Sequence, residues 1–103
     1  MDNYYLVRVY LITYDLNSPY QDYSKLIDSI KRVGDKGYVR VCKSSFLVRS
    51  TLQTAQEILK ILSLGFDYDD DVFVAEIKAN YGYYLNDKEQ LQATVESLLS
   101  SIY

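Results

Sequence analysis

Asp15 is the residue of this chain best placed to do chemistry. It ends an apolar run, Leu6 to Tyr14, that reads as a strand, so a rigid element would hold its carboxylate where the chain opens onto solvent. A carboxylate held this way can bind a divalent ion or activate water. It can equally begin a turn, where aspartate bonds nearby backbone. A second segment, Arg40-Val41-Cys42-Lys43-Ser44-Ser45-Phe46, reads as the turn of a strand pair that could sit beside it. Asn17 and the Ser44 hydroxyl could complete a metal shell with water, while Arg40 and Lys43 could neutralise a phosphate. In the plainer alternative Ser44 and Ser45 bond the backbone of their own turn, and Phe46 belongs to the core.

The residue types that are missing narrow the chemistry further. The chain contains no histidine, which excludes Ser-His-Asp and Cys-His catalysis and most transition-metal sites. Its single cysteine, Cys42, cannot form an internal disulfide or a cysteine zinc site and reads as a small buried residue. Catalysis would therefore rest on carboxylates, hydroxyls, Lys or Arg, with magnesium or manganese held by oxygen. The acidic run Asp67, Asp69, Asp70 and Asp71 resembles a calcium loop only superficially. The glutamate such a loop needs at its end is replaced by Lys78, so the run reads as a solvated lead-in to a strand.

Charge is distributed unevenly. The net charge is −3, yet residues 23–49 carry Lys25, Lys31, Arg32, Lys36, Arg40, Lys43 and Arg49 against Asp28 and Asp35. That basic segment could bind phosphates locally, or simply solvate helix and strand faces. Residues 51–103 carry nine acids against three lysines. Twelve tyrosines, with Tyr81, Tyr83 and Tyr84 close together, are too many for a core of this size and suit a protein interface.

The elements that must position these groups follow from periodicity. A length of 103 residues with 49% hydrophobic content supports one domain, with its core within about residues 5–80. No apolar run approaches 18 residues, and the N-terminus shows no secretion signature, so a cytoplasmic location without membrane contact is expected. The first strand is apolar on both faces. Ser18-Pro19-Tyr20-Gln21 fits a capped helix start, with Tyr23, Leu26, Ile27, Ile30 and Val33 at helical spacing and a stop at Gly34. Strands over Tyr38–Cys42 and Ser45–Arg49 flank the junction Lys43-Ser44, so short that a kink or bulge is expected there. A second helix carries Ala55, Ile58, Leu59 and Leu62 and is capped between Thr51 and Thr54. A fourth strand runs from Val72 to Lys78, followed by an aromatic loop or short strand over Ala79–Tyr84. A last helix, about 86–102, opens on an Asn86-x-x-Glu89 capping box and carries Leu91, Val95, Leu98, Leu99 and Ile102.

The order β-α-β-β-α-β predicts an α+β, ferredoxin-like sandwich with an added C-terminal helix. One sheet face would remain open, so a homodimer is expected. A two-fold axis would also give Asp15 the second carboxylate that a magnesium site wants.

In this frame the chain resembles the CRISPR-associated protein two family and its virulence-associated protein D and phage-encoded relatives, over about residues 5–80. The resemblance rests on the strand ending in Tyr14-Asp15 and on the run of Arg40, Val41, Ser44 and Phe46. It implies a symmetric homodimer with the strand-end aspartates facing across the interface and a divalent metal between them. It further implies either metal-dependent endonuclease activity on RNA or DNA, or a non-catalytic scaffold that binds duplex DNA. The tyrosine-rich surface adds the alternative of a non-catalytic homodimeric adaptor or inhibitor that contacts a protein partner in phage–host conflict or CRISPR systems. The chain departs from the family pattern at Asn17-Ser18-Pro19-Tyr20-Gln21-Asp22, where basic residues are common, and at Cys42, where glutamine is common.

Overall fold

A computed structural model describes residues 6–17, 23–86 and 88–102. Four strands form one sheet: β1 (Arg8–Asp15), β2 (Tyr38–Cys42), β3 (Ser45–Ser50) and β4 (Asp71–Ile77). Their order is β2-β3-β1-β4, and all neighbours are antiparallel. Helix α1 (Ser24–Val33) carries the chain from β1 to β2, and α2 (Ala55–Leu62) with a short 3-10 turn (Ser63–Gly65) carries it from β3 to β4. This α+β arrangement is compatible with a ferredoxin-like fold. The irregularity expected at the Lys43-Ser44 junction lies just before it, as a shift of the β2–β3 register between Arg40 and Cys42.

The alternation along β1 sorts its side chains onto two faces. Tyr10, Ile12 and Tyr14 point to one face, where Phe46 and Val48 of β3 join them. Helix α1 covers that face with Leu26, Ile30 and Val33, and α2 with Ile58 and Leu62. Tyr10 is fully buried, and its hydroxyl donates to the Leu52 carbonyl at 2.7 Å, so the polar tip of a core ring is satisfied. Gly65 allows α1 to settle on the 3-10 turn, because a Cβ there would lie 2.6 Å from the backbone of Leu26.

Local signals set the helix ends. Thr54 caps α2, accepting from the Glu57 N–H at 3.1 Å, while the Glu57 carboxylate accepts from the Gln53 N–H at 3.2 Å. Helix α1 stops where the Gly34 N–H donates to the Ile30 carbonyl, with Lys31 and Arg32 in its last turn opposite the negative end of the helix dipole. The expected cap at Ser18, Pro19 and Gln21 lies outside the described residues.

The second face of the sheet departs from expectation. It is not left open, because α3 (Glu89–Leu99) lies across β2 and β3. Val95, Leu98 and Leu99 pack on Val9 and Leu47, with Val39, Val41, Ile77, Leu85, Leu91 and Ile102 alongside. The apolar stripe of the last helix was legible; its destination was not. Helix α3 thus takes up part of the face that the sequence left open, so an uncovered sheet face no longer argues by itself for a homodimer. The Asn86 capping box is not made either. Lys88 holds the N-cap position without a side-chain bond, and the Asn86 carboxamide oxygen instead accepts from the Tyr84 hydroxyl at 3.4 Å. Ala79–Tyr84 is irregular chain rather than a fifth strand. Cys42 is exposed, not buried.

Candidate functional site

Asp15 sits at the last position of β1, and the antiparallel register places Asp71, the first residue of β4, directly opposite it. Residues opposed in this way share a face, so both aspartates lie on the side of the sheet that also carries Thr13 and Phe73. Both are exposed. They line a shallow cleft of about 300 Å³ with Thr13, Tyr14, Val72 and Phe73. Phe73 is 67% exposed, a large ring left in solvent beside two carboxylates.

Asn17 ties this end of the sheet together. Its side-chain amide donates to the Asp69 carbonyl at 2.7 Å and to the Asp71 carboxylate at 3.2 Å, and its backbone N–H donates to Asp70 Oδ1 at 3.0 Å. It orients Asp71 rather than standing beside Asp15 as a further ligand. The acidic turn follows ordinary turn chemistry. The Asp67 N–H donates to Asp70 Oδ2 at 2.7 Å, and the Asp70 N–H donates back to the Asp67 carbonyl at 3.1 Å. The carboxylates of Asp67, Asp69 and Asp70 lie within 4.8 Å of one another. Exposed carboxylates in a turn reach that spacing without a ligand.

The β2–β3 turn occupies the same end of the sheet. The Ser44 carbonyl accepts from the Tyr14 N–H at 3.1 Å and from the Thr13 hydroxyl at 3.3 Å, and Ser45 donates its hydroxyl to Thr13 Oγ1 at 3.1 Å. Lys43 and Ser44 are thus brought to the end of β1 that carries Asp15. Arg40 is not. Its guanidinium stacks over Phe46, with 5.1 Å to the ring centroid, and one nitrogen approaches the Tyr14 hydroxyl at 3.4 Å. Phe46 and Tyr14 belong to the face covered by α1 and α2, so the sheet separates Arg40 from the carboxylate pair.

Charge is segregated across the sheet. Strand β2 forms one edge, with Arg40 over Phe46 and Lys31 of α1 over the exposed Tyr38 ring at 5.8 Å. Strand β4 and its acidic lead-in form the other edge. Away from the cleft, the surroundings of Tyr10 and Asp35 shift their acidities. Burial, reinforced by the Glu76 carboxylate, pushes the Tyr10 phenol up to about 12. At Asp35, burial raises the carboxyl, but hydrogen bonds from the Thr51 hydroxyl and N–H outweigh it and hold it below its ordinary value.

The sequence reading assigned Asp71 to a solvated lead-in and missed its pairing with Asp15. Both residues mark the boundary of an apolar strand, but only the β1–β4 register shows that the two boundaries coincide. Fold and site together define an α+β domain, helical on both faces of its sheet, with paired carboxylates at one end. No family model, curated protein or solved structure matches the chain.

Proposed function

We propose that this chain is a metal-dependent phosphodiesterase acting on RNA or DNA, with Asp15 and Asp71 as its metal-holding pair on a ferredoxin-like scaffold. The observation that carries this reading is the placement of two exposed carboxylates directly opposite each other on adjacent strands. Like charges so opposed destabilise a sheet by about 0.2–1 kcal/mol, and a bound cation reverses the sign. Magnesium is commonly held by one or two carboxylates with water and substrate phosphate completing its octahedron, so the donor set fits. Such an ion would supply a water of lowered pKa and neutralise charge developing on phosphate oxygens.

The remaining roles belong to the chain itself. Asn17 fixes the Asp71 carboxylate. Phe73 offers a ring face on which a base can stack next to the carboxylates. Lys43, on the turn at the same end of the sheet, provides positive charge for a phosphate. Arg40 takes no part from the far face. Because one chain supplies both carboxylates, the two-fold axis expected from the sequence is not required.

The test is cleavage of short labelled RNA and DNA in manganese, run beside thermal unfolding with and without the ion. Asp15→Asn and Asp71→Asn should each cost more than the roughly 10–100-fold that follows loss of an outer-shell partner, and should abolish the rise in Tm caused by manganese. Activity surviving in both variants would remove the site.

A second reading, a non-catalytic adaptor, draws on the exposed tyrosines. Tyr68 is fully exposed and Tyr84 85% exposed, and exposed tyrosine is enriched where proteins meet. It predicts no metal-dependent cleavage and partner capture lost on Tyr68→Ser and Tyr84→Ser.

A further inference from the structure

The geometry points to a second site, independent of the carboxylate pair: a slot between α3 and the sheet that binds a neutral small molecule of one or two rings. The slot has a volume of about 340 Å³. Leu11, Leu47 and Ile77 form its floor on the sheet, and Val95 and Leu99 of α3 form one wall. The loop after β4 closes the opposite side with Tyr81, Tyr83 and Tyr84. It is therefore a half-open groove between two walls, with the Tyr84 ring 85% exposed at its mouth.

Size and lining together select the occupant. An apolar cavity of about 150 Å³ suffices for benzene, and ligand pockets begin near 300 Å³. Among the described residues, no charged side chain lines this slot. A charged ligand would lose water along these walls without a counter-charge from them, which favours a neutral one. The polar groups available inside are few. The Ser45 hydroxyl is already bonded to Thr13, which leaves the tyrosine hydroxyls at the rim to meet a single polar substituent. Side walls of Leu and Val with a rim of Tyr favour a flat ring over a flexible chain, because stacked and edge-on ring contacts are directional. A ring ligand would replace water in the slot by contact with this apolar lining.

Cys42 makes the proposal testable without disturbing the fold. It is the chain's single cysteine, it is exposed, and it lines the slot. The probe is N-phenyl-1-naphthylamine, neutral and aromatic, whose fluorescence rises on entering an apolar site. With the full chain, titration should saturate at one site. Saturating probe should slow Cys42 modification by a disulfide reagent at least five-fold. Prior alkylation of Cys42 with N-ethylmaleimide should weaken binding at least ten-fold, as should filling the slot by Val95→Trp. Cys42→Ser and the exposed-face change Gln92→Ala should bind like wild type. Should Val95→Trp not fold, the alkylated wild-type protein, checked by circular dichroism, carries the same comparison. The proposal is overturned by fluorescence that rises linearly with probe, or by binding indifferent to Cys42 alkylation. It is equally overturned if sedimentation shows a dimer that the probe dissociates, since a second copy would then fill the slot.

Discussion

The docking of α3 on the sheet can be tested at a single contact between Gly37 and Leu98. Gly37 has a φ of +135°, a conformation that side-chain-bearing residues rarely adopt, and it sits in the turn between α1 and β2. Its carbonyl accepts from the Arg49 N–H at 2.8 Å and its N–H donates to the Gly34 carbonyl at 3.0 Å, so the turn cannot easily relax. A Cβ at this position would lie 2.5 Å from Leu98 Cδ2. Gly37→Ala therefore carries two costs: backbone strain of about 1–3 kcal/mol and displacement of Leu98 from its rotamer, about 0.5–1.5 kcal/mol. The expected loss is about 3 kcal/mol, a fall in Tm of roughly 10 °C or more for a domain of this size. Leu98→Ala alone should cost about 2–5 kcal/mol, because it empties a buried site between α3 and the sheet. In the double variant the collision is gone and only backbone strain remains, so the combined loss should fall short of the sum by about 1 kcal/mol. Urea unfolding followed by far-ultraviolet circular dichroism measures all three. Strict additivity, or a Gly37→Ala cost below about 0.5 kcal/mol, would refute the placement of α3 over this turn.

Three further outcomes follow from contacts described above. Tyr10→Phe removes the hydroxyl that serves the Leu52 carbonyl and should lower stability by about 1–3 kcal/mol in denaturant melts, with the phenol's high-pH titration step disappearing from the absorbance spectrum. Asp35 has a depressed carboxyl pKa, so its contribution is present above the ordinary carboxylate range near 4 and is lost as pH falls through the lower folded value; Asp35→Asn should flatten that part of the stability–pH profile. Asp15→Asn in metal-free buffer relieves repulsion from Asp71 and should raise stability by a few tenths of a kcal/mol, up to about 1, an effect that salt diminishes.

The order of elements was legible because each signal is local. Alternation marked β1, the short Lys43-Ser44 junction marked a kink or bulge nearby, and the stretch from Thr51 to Thr54 marked the start of α2 without singling out its cap. What escaped the sequence depends on contacts between distant segments. The stripe of Val95, Leu98 and Leu99 shows that α3 has an apolar face but not which surface receives it. The Asn86-x-x-Glu89 pattern looks like a capping box, yet the helix begins after Lys88 and Asn86 bonds to Tyr84. Asp15 was visible as a strand-end carboxylate, whereas its neighbour Asp71 required the register of two strands far apart in sequence. Arg40 and Lys43, three residues apart, looked like one basic group, and the bulge and strand alternation place them differently.

The strand order has a consequence for the way the chain must assemble. Strand β1 is made first, but its two ladder partners are β3 and β4, and the ion pair linking Arg8 to Glu76 at 2.9 Å spans a separation of 68 residues. Until β4 has emerged from the ribosome, one long edge of β1 has no hydrogen-bonding partner, while Tyr10, Ile12 and Tyr14 already demand burial. Synthesis at about 5–20 residues per second leaves that edge uncovered for several seconds. The two local pieces that can form early, α1 and the β2–β3 hairpin, must shelter it until the last strand arrives. Loop closure over such a distance is slow compared with hairpin or helix formation. Pairing of β1 is therefore completed only once β4 has been made, although β1 precedes β4 by more than fifty residues.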